Sequence, residues 1–241
     1  MASKKKRIDD FDKYKVDDEK CIELYHQLHY KEANECFEKN DKNNIMIFTG
    51  SRGPFYRGAV LLELERYQDA IDRFDQALKF EEHEQILYNK GLAFSYLGKH
   101  DDAIECLYQA LKINPNYLPA MHEKGLVLDN SGRSADAIVW YDKALERDPN
   151  DMDTLLNKGL ALSHLNKFQD AYDIFSKIHD LEPKNVVVLR QMGAMLANQG
   201  RFDDAKIWYK KALKLDPKNV DIIFELEELD KPDHSGTALS G

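Results

Sequence analysis

Cysteine is scarce in this 241-residue chain, and its three copies, Cys21, Cys36 and Cys106, are odd in number and show no paired spacing. That usage argues against a disulfide framework and suits a reducing compartment. Long apolar runs are missing too. No stretch approaches the roughly 18 apolar residues of a membrane span, and the N-terminus carries charge without the apolar region of a secretory signal. A cytoplasmic chain with no membrane association is the expectation.

The motifs of catalysis are also absent. Gly50 and Gly53 are not followed by Gly-Lys-Ser/Thr, so no phosphate loop forms there. His122 beside Glu123 lacks the HExxH spacing that puts two histidines on one helical face. His26 and His29, with Cys21 and Cys36 nearby, do not have the spacing of a closed zinc site and read as a wet helix surface. Ser95, Ser131, Ser134, Ser163 and Ser176 have no nucleophile-elbow context. The Asp-Asp and Glu-Glu pairs are better explained as helix starts and solvated faces than as acid and base pairs. No catalytic residue, metal or cofactor is assigned. Positive charge is outweighed, with 34 Lys and Arg against 43 Asp and Glu and a formal net charge of −9. That balance argues against a nucleic-acid backbone as partner and favours a basic or apolar one.

Three positions recur four times at a spacing of 34: Gly91, Ala103, Pro115; Gly125, Ala137, Pro149; Gly159, Ala171, Pro183; and Gly193, Ala205, Pro217. Such regularity marks a stacked repeat and shifts the expected function from catalysis towards binding. In the unit from Met152 to Asn185, Leu155, Gly159 and Leu162 fall at i, i+4, i+7, and so do Ala171, Phe175 and Ile178. This predicts two amphipathic helices. The Gly and the Ala lie on different helices, where the missing bulk lets the pair approach closely. Gly98, Gly132, Asn166 and Gly200 sit between the helices, where a left-handed residue ends the first. Asp101, Asp102, Asp136, Asp170, Asp203 and Asp204 then favour the start of the second through its dipole. The prolines stop it.

These residues resemble the tetratricopeptide repeat family, whose first helix carries apolar, Gly and aromatic positions and whose second carries Ala, aromatic and Pro positions. The resemblance implies an all-α, right-handed α-solenoid of tandem helix-turn-helix units. Full units are expected over 84–117, 118–151, 152–185 and 186–219. The unit 51–83 is one residue short, with Gly58, Tyr67, Ala70, Phe74 and Ala77 in place. A degenerate unit over 14–50 has Cys21 in place of the Gly, and Tyr30, Ala33 and Phe37 on its second helix. A C-terminal capping helix over 220–230 is expected to cover the open end with Ile222, Ile223, Phe224 and Leu226. Residues 1–13, whose Lys4 to Arg7 run is read as a solvated tail rather than a nuclear address, and residues 231–241 are expected to be disordered. The segment Asn40 to Gly53 reads as an insertion whose Ile45 to Phe48 run packs on neighbouring helices, with a contact loop as the other reading.

In the family the first helices line a concave face, and positions 2, 5, 6, 9, 12 and 13 point into it. Carried over to this chain, that face includes Tyr88, Asn89, Leu92, Tyr96, His122, Glu123, Asn130, Asn157, His164, Arg190, Gln191 and Asn198. Amides one repeat apart can pair with the backbone of an extended segment. Tyr88, Leu92 and Tyr96 supply an aromatic and apolar anchor, while His122, His164 and Arg190 bring positive charge. The carboxylate clamp of chaperone-binding members is not expected, because Asn89 and Asn157 match its middle element alone. The resemblance thus implies a non-catalytic scaffold or adaptor binding an extended or helical segment of another protein. The alternatives are a self-associating assembly subunit or a co-chaperone with a non-standard peptide site. A monomer is the favoured oligomeric state.

Overall fold

The computed structural model describes residues 18–42 and 50–231, and every regular element among them is helical. The helices are α1 (residues 18–26), α2 (Tyr30–Lys42), α3 (Arg52–Glu63), α4 (Tyr67–Leu78), α5 (Glu84–Tyr96), α6 (His100–Ile113), α7 (Leu118–Asn130), α8 (Ser134–Leu145), α9 (Met152–His164), α10 (Phe168–Leu181), α11 (Val186–Asn198), α12 (Phe202–Leu215) and α13 (Val220–Leu229). Within each unit helices consecutive in sequence pack against each other, α2 to α6 in one and α8 to α13 in the other, in the α-solenoid class expected from the repeat. The described residues form two compact units, one up to Val127 and the other from Leu128. The N-terminal tail with its Lys4 to Arg7 run, the C-terminal tail beyond Lys231 and the Ile45 to Phe48 run lie outside the described residues.

Helix starts follow two chemistries. Four odd-numbered helices start on a side chain: Asp151, Asn185 and Asn219 accept from the backbone N–H of Thr154, Val188 and Ile222, and His83 Nδ1 accepts from that of Gln85, whereas α3 has no side-chain cap. Second helices have no side-chain cap and rely on first-turn acids. A basic residue precedes each, and Arg66, Arg133 and Arg201 pair with Asp69, Asp136 and Asp204 at 2.7–2.8 Å. The turns between helices close on a left-handed residue. Gly98, Gly132, Asn166 and Gly200 take φ of 70°, 79°, 57° and 75°. In the two earliest hairpins the same conformation falls on Leu28 (φ 63°) and Glu65 (φ 59°), where a Cβ makes it costly. Sequence alone did not mark these two.

The repeat glycine has a sharper role than close helix approach. A Cβ on Gly58, Gly159 or Gly193 would come within 2.6 Å of the ring of Phe74, Phe175 or Tyr209, and one on Gly91 within 3.0 Å of Leu107 Cγ. Each glycine is the socket for a large side chain sixteen residues later. The repeat alanines beside these rings, Ala70, Ala103, Ala171 and Ala205, are fully buried. Phe74 centres the core of the N-terminal unit with Leu61, Ile71 and Ile86. Phe175, with Leu155, Ile178 and Met192, does so in the C-terminal unit.

Three expectations need correction. Cys21 and Cys36, taken as unpaired thiols, form a disulfide with Cα atoms 5.5 Å apart, which leaves Cys106 as the free cysteine. The hairpin of α1 and α2 brings together residues 15 apart in sequence, a proximity that spacing in the chain does not reveal. Second, α2 continues to Lys42, into the segment read as an insertion, and Asn40 Nδ2 donates to Asp18 Oδ1 at 3.2 Å. Third, Phe224 does not help cover the end of the stack. On α13, Ile222 and Leu229 are buried seven residues apart on one face, whereas Phe224, some 200° around the helix from Ile222, is 59% exposed.

Candidate functional site

In the N-terminal unit, α5 carries Tyr88, Leu92 and Tyr96 at i, i+4, i+8, so the three lie along one face. Tyr96 is 62% exposed, and its ring stacks on Tyr67 at 5.1 Å between centroids with 26° between planes. Tyr88 is half-buried and meets the ring of Tyr117 edge-on at 5.6 Å. Glu123, on α7, is 9% exposed, and burial raises its carboxyl above the ordinary carboxylate range. The Ser95 side chain faces it and partly offsets that rise. Burial, and then the Glu123 charge, push the Tyr88 hydroxyl up to about 12. The same two causes raise Tyr96, with Tyr67 and Glu63 adding to them. Tyr88, Tyr96 and Glu123 are thus brought together. Glu63 stands at the same repeat position as Tyr96, one unit earlier, whereas the Tyr67, Ser95 and Tyr117 side chains around them were missed.

Asn89 donates one amide N–H within its own helix, to the Gln85 carbonyl at 2.8 Å, and keeps its side-chain oxygen and second N–H to offer outward. His122 and Leu92 are half-buried. Earlier in the same unit a second aromatic cluster forms: Tyr56 lies 5.6 Å from Tyr25, 5.2 Å from His26 and 5.2 Å from Phe55, centroid to centroid. Beside it Ser51, Phe55, Glu81 and Ile86 line a shallow cleft of about 200 Å³.

In the C-terminal unit the implied face is differently wired. Arg190 Nη2 pairs with Glu225 at 2.6 Å and Nη1 with Asp221 at 3.2 Å, so this guanidinium ties α11 to α13. His164 Nδ1 lies 3.1 Å from Asp129, whose side chain is 8% exposed and accepts from the Ser134 hydroxyl at 2.5 Å. Asn198 donates to its own helix at Ala194, 2.9 Å away. Asn157 and Gln191 are half-buried, and Asn130 is exposed. The positive charge implied for this face therefore has acidic partners inside the molecule. Asp129 and the α13 acids that supply them carried no signal in the repeat pattern, because pairing across helices depends on register in space.

Among the described residues no group of three or more His, Cys, Asp or Glu is placed to hold a metal, and no helix is long and apolar enough to cross a membrane. Burial raises the Cys106 thiol to about 11, far from the range of a reactive thiolate.

Models of the tetratricopeptide repeat match residues 85–117, 118–151 and 186–219, with a further match in a shifted register over 140–173. A curated relative, the photosystem I assembly protein Ycf3 of Acaryochloris marina, is 33% identical over 73 residues, which span 28% of this chain and 44% of that protein. Among solved structures, the C-terminal part of a TPR repeat-containing protein from Cytophaga hutchinsonii superposes with a TM-score of 0.76 at 19% identity, over 88% of this chain and 85% of that one. A tetratricopeptide repeat protein from Parabacteroides merdae gives 0.68 at 16% identity, over 90% and 98%. MamA from Desulfovibrio magneticus RS-1 gives 0.66 at 20%, over 70% and 97%. At these identities the structural likeness speaks for the fold.

Proposed function

Since the chain belongs to the tetratricopeptide repeat family, we propose that it is a non-catalytic scaffold that binds a segment of another protein along the exposed face of its first helices. The observation that carries this reading is the α5 stripe of Tyr88, Leu92 and Tyr96, with Tyr96 largely open to solvent and backed by Tyr67. Rigid aromatic side chains of this kind dominate binding energy at protein interfaces. Asn89, His122 and Glu123 in the same unit, and Asn130, Asn157, Gln191 and Asn198 in the other, are the polar positions assigned to this face, whereas Arg190 and His164 are engaged by acids of their own unit. The curated relative is named for assembling a complex, in keeping with a binding role. A cytoplasmic location belongs to the same proposal, and cell fractionation tests it.

The test is an affinity capture from native cell extract with wild type, a Tyr88→Ala/Tyr96→Ala variant, and Ile207→Ser on the second helix α12, where Ile207 is 54% exposed. A partner retained by wild type and Ile207→Ser but lost by the tyrosine variant supports the face. Equal loss from both variants rejects it. Self-association is the second reading, and it rests on the exposure of Val220 (75%) and Phe224 (59%) on α13. A mass by light scattering that rises with concentration in wild type and not in Phe224→Ser selects it.

A further inference from the structure

Tyr96, stacked on Tyr67, together with Tyr88 and the nine-tenths-buried Glu123, forms an acidic aromatic cluster on the N-terminal unit, and we propose that it receives the basic side chain, Arg or Lys, of the bound partner segment. The inference rests on the reading of this face as a protein-binding surface and adds the chemistry of what enters it.

Charge complementarity selects the occupant. A buried carboxylate is expensive unless a cation or several donors satisfy it. Glu123 has the Ser95 side chain against it, and no Lys, Arg or His among the described residues pairs with it. The nearby cations are engaged elsewhere: Lys90 with Asp75 at 2.5 Å, and Lys124 over the Tyr108 ring at 4.9 Å. A second acid, Glu63, lies exposed on α3 where its charge reaches Tyr96, and no described cation pairs with it either. Aromatic ring faces attract cations through their quadrupole, most strongly where water is excluded. Three tyrosines and two unneutralised carboxylates therefore favour a cation and disfavour an anionic or neutral polar group. An arginine fits with particular economy, because its guanidinium stacks on a ring and offers a fork of donors to a carboxylate.

The probes are three acetylated, amidated pentapeptides that differ at one residue, Arg, Lys or neutral citrulline, titrated into the full ¹⁵N-labelled chain with backbone amide shifts as the readout. The expected result is saturable shifts on α5 and the start of α7 with the Arg and Lys peptides, and binding about tenfold or more weaker with citrulline. Glu123→Gln is expected to weaken Arg-peptide binding by about tenfold while raising Tm, since it removes a buried charge. Glu105→Gln, an exposed acid on α6, controls for the general attraction of an acidic protein to cations and is expected to leave binding unchanged. Equal binding of the Arg and citrulline peptides at these amides, or equal losses from Glu123→Gln and Glu105→Gln, overturns the basic-side-chain inference and leaves the binding face standing. No shift on α5 or α7 with any peptide overturns both.

Discussion

The two units use the same helical hairpins, and a Lys on the first helix pairs with an Asp of the preceding helix in both, as Lys90 with Asp75 and Lys158 with Asp142, yet the groups at their groove positions are surrounded differently. In the C-terminal unit Arg190 is neutralised from within by Glu225 and Asp221, and His164 lies 3.1 Å from Asp129. In the N-terminal unit Glu123 is buried beneath tyrosines with no described cation beside it. A residue at a repeat position thus has no fixed role. Its neighbours on the next helix decide whether it stabilises the stack or stays available to a partner. The units also differ in regularity. Turns of the C-terminal unit fall on Gly132, Asn166 and Gly200, whereas two of the N-terminal unit fall on Leu28 and Glu65, and a disulfide ties its first hairpin.

The largest effect expected from breaking this comparison is in the cores. Phe175→Ala empties the socket of Gly159 and is expected to cost about 3–5 kcal/mol. Chemical denaturation followed by hydrogen exchange should show the loss concentrated in the C-terminal unit, and Phe74→Ala should do the same in the N-terminal one. Next comes the staple. Replacing Cys21 and Cys36 with Ala is expected to destabilise the first hairpin by about 3 kcal/mol, the chain-entropy value for a loop of this length. Mass mapping without reductant checks that the bond forms, and a hairpin whose exchange is unchanged in the double variant would refute the staple.

A smaller effect separates the faces. Glu123→Gln should raise Tm by about 2–4 °C near neutral pH, as expected for relief of a buried charge in a chain of this size. The sign follows from the raised carboxyl. Relative to the neutral amide, wild type loses nothing below its unfolded value and loses stability as pH rises through the higher folded value. The Tm gap should therefore close on acidification, and binding of a basic segment should weaken as Glu123 is protonated. A gap that does not change with pH would point to packing rather than charge. The smallest change is Glu65→Gly, which relieves a left-handed non-glycine residue and is expected to stabilise by about 1 kcal/mol, measured by urea denaturation.

Much of this was legible in the chain. Helices α5, α7, α9, α11 and α13 begin at Glu84, Leu118, Met152, Val186 and Val220, the first residues of the units drawn from the 34-residue spacing. That succeeds because glycine sockets, left-handed turns and proline stops are local requirements that each repeat must meet. The placing of Tyr88, Leu92 and Tyr96 along one face of α5 was readable for the same reason. Pairings between helices were not readable. The Cys21–Cys36 bond, the Arg190 pairs with α13, the Asp129–His164 contact and the stacking of Tyr67 on Tyr96 depend on which side chains meet in space. The exposure of Phe224 was missed by treating an apolar cluster in sequence as an apolar face, although its position on α13 already placed it opposite Ile222.

The central claim, that the N-terminal unit presents a binding face while the C-terminal charges serve the fold, is tested most directly by titrating the captured partner against wild type, Tyr96→Ala and Arg190→Ala. The account predicts at least about a tenfold loss of affinity, or 1.4 kcal/mol, for Tyr96→Ala, with Arg190→Ala binding like wild type but melting lower. Retained affinity in Tyr96→Ala together with lost affinity in Arg190→Ala would contradict it.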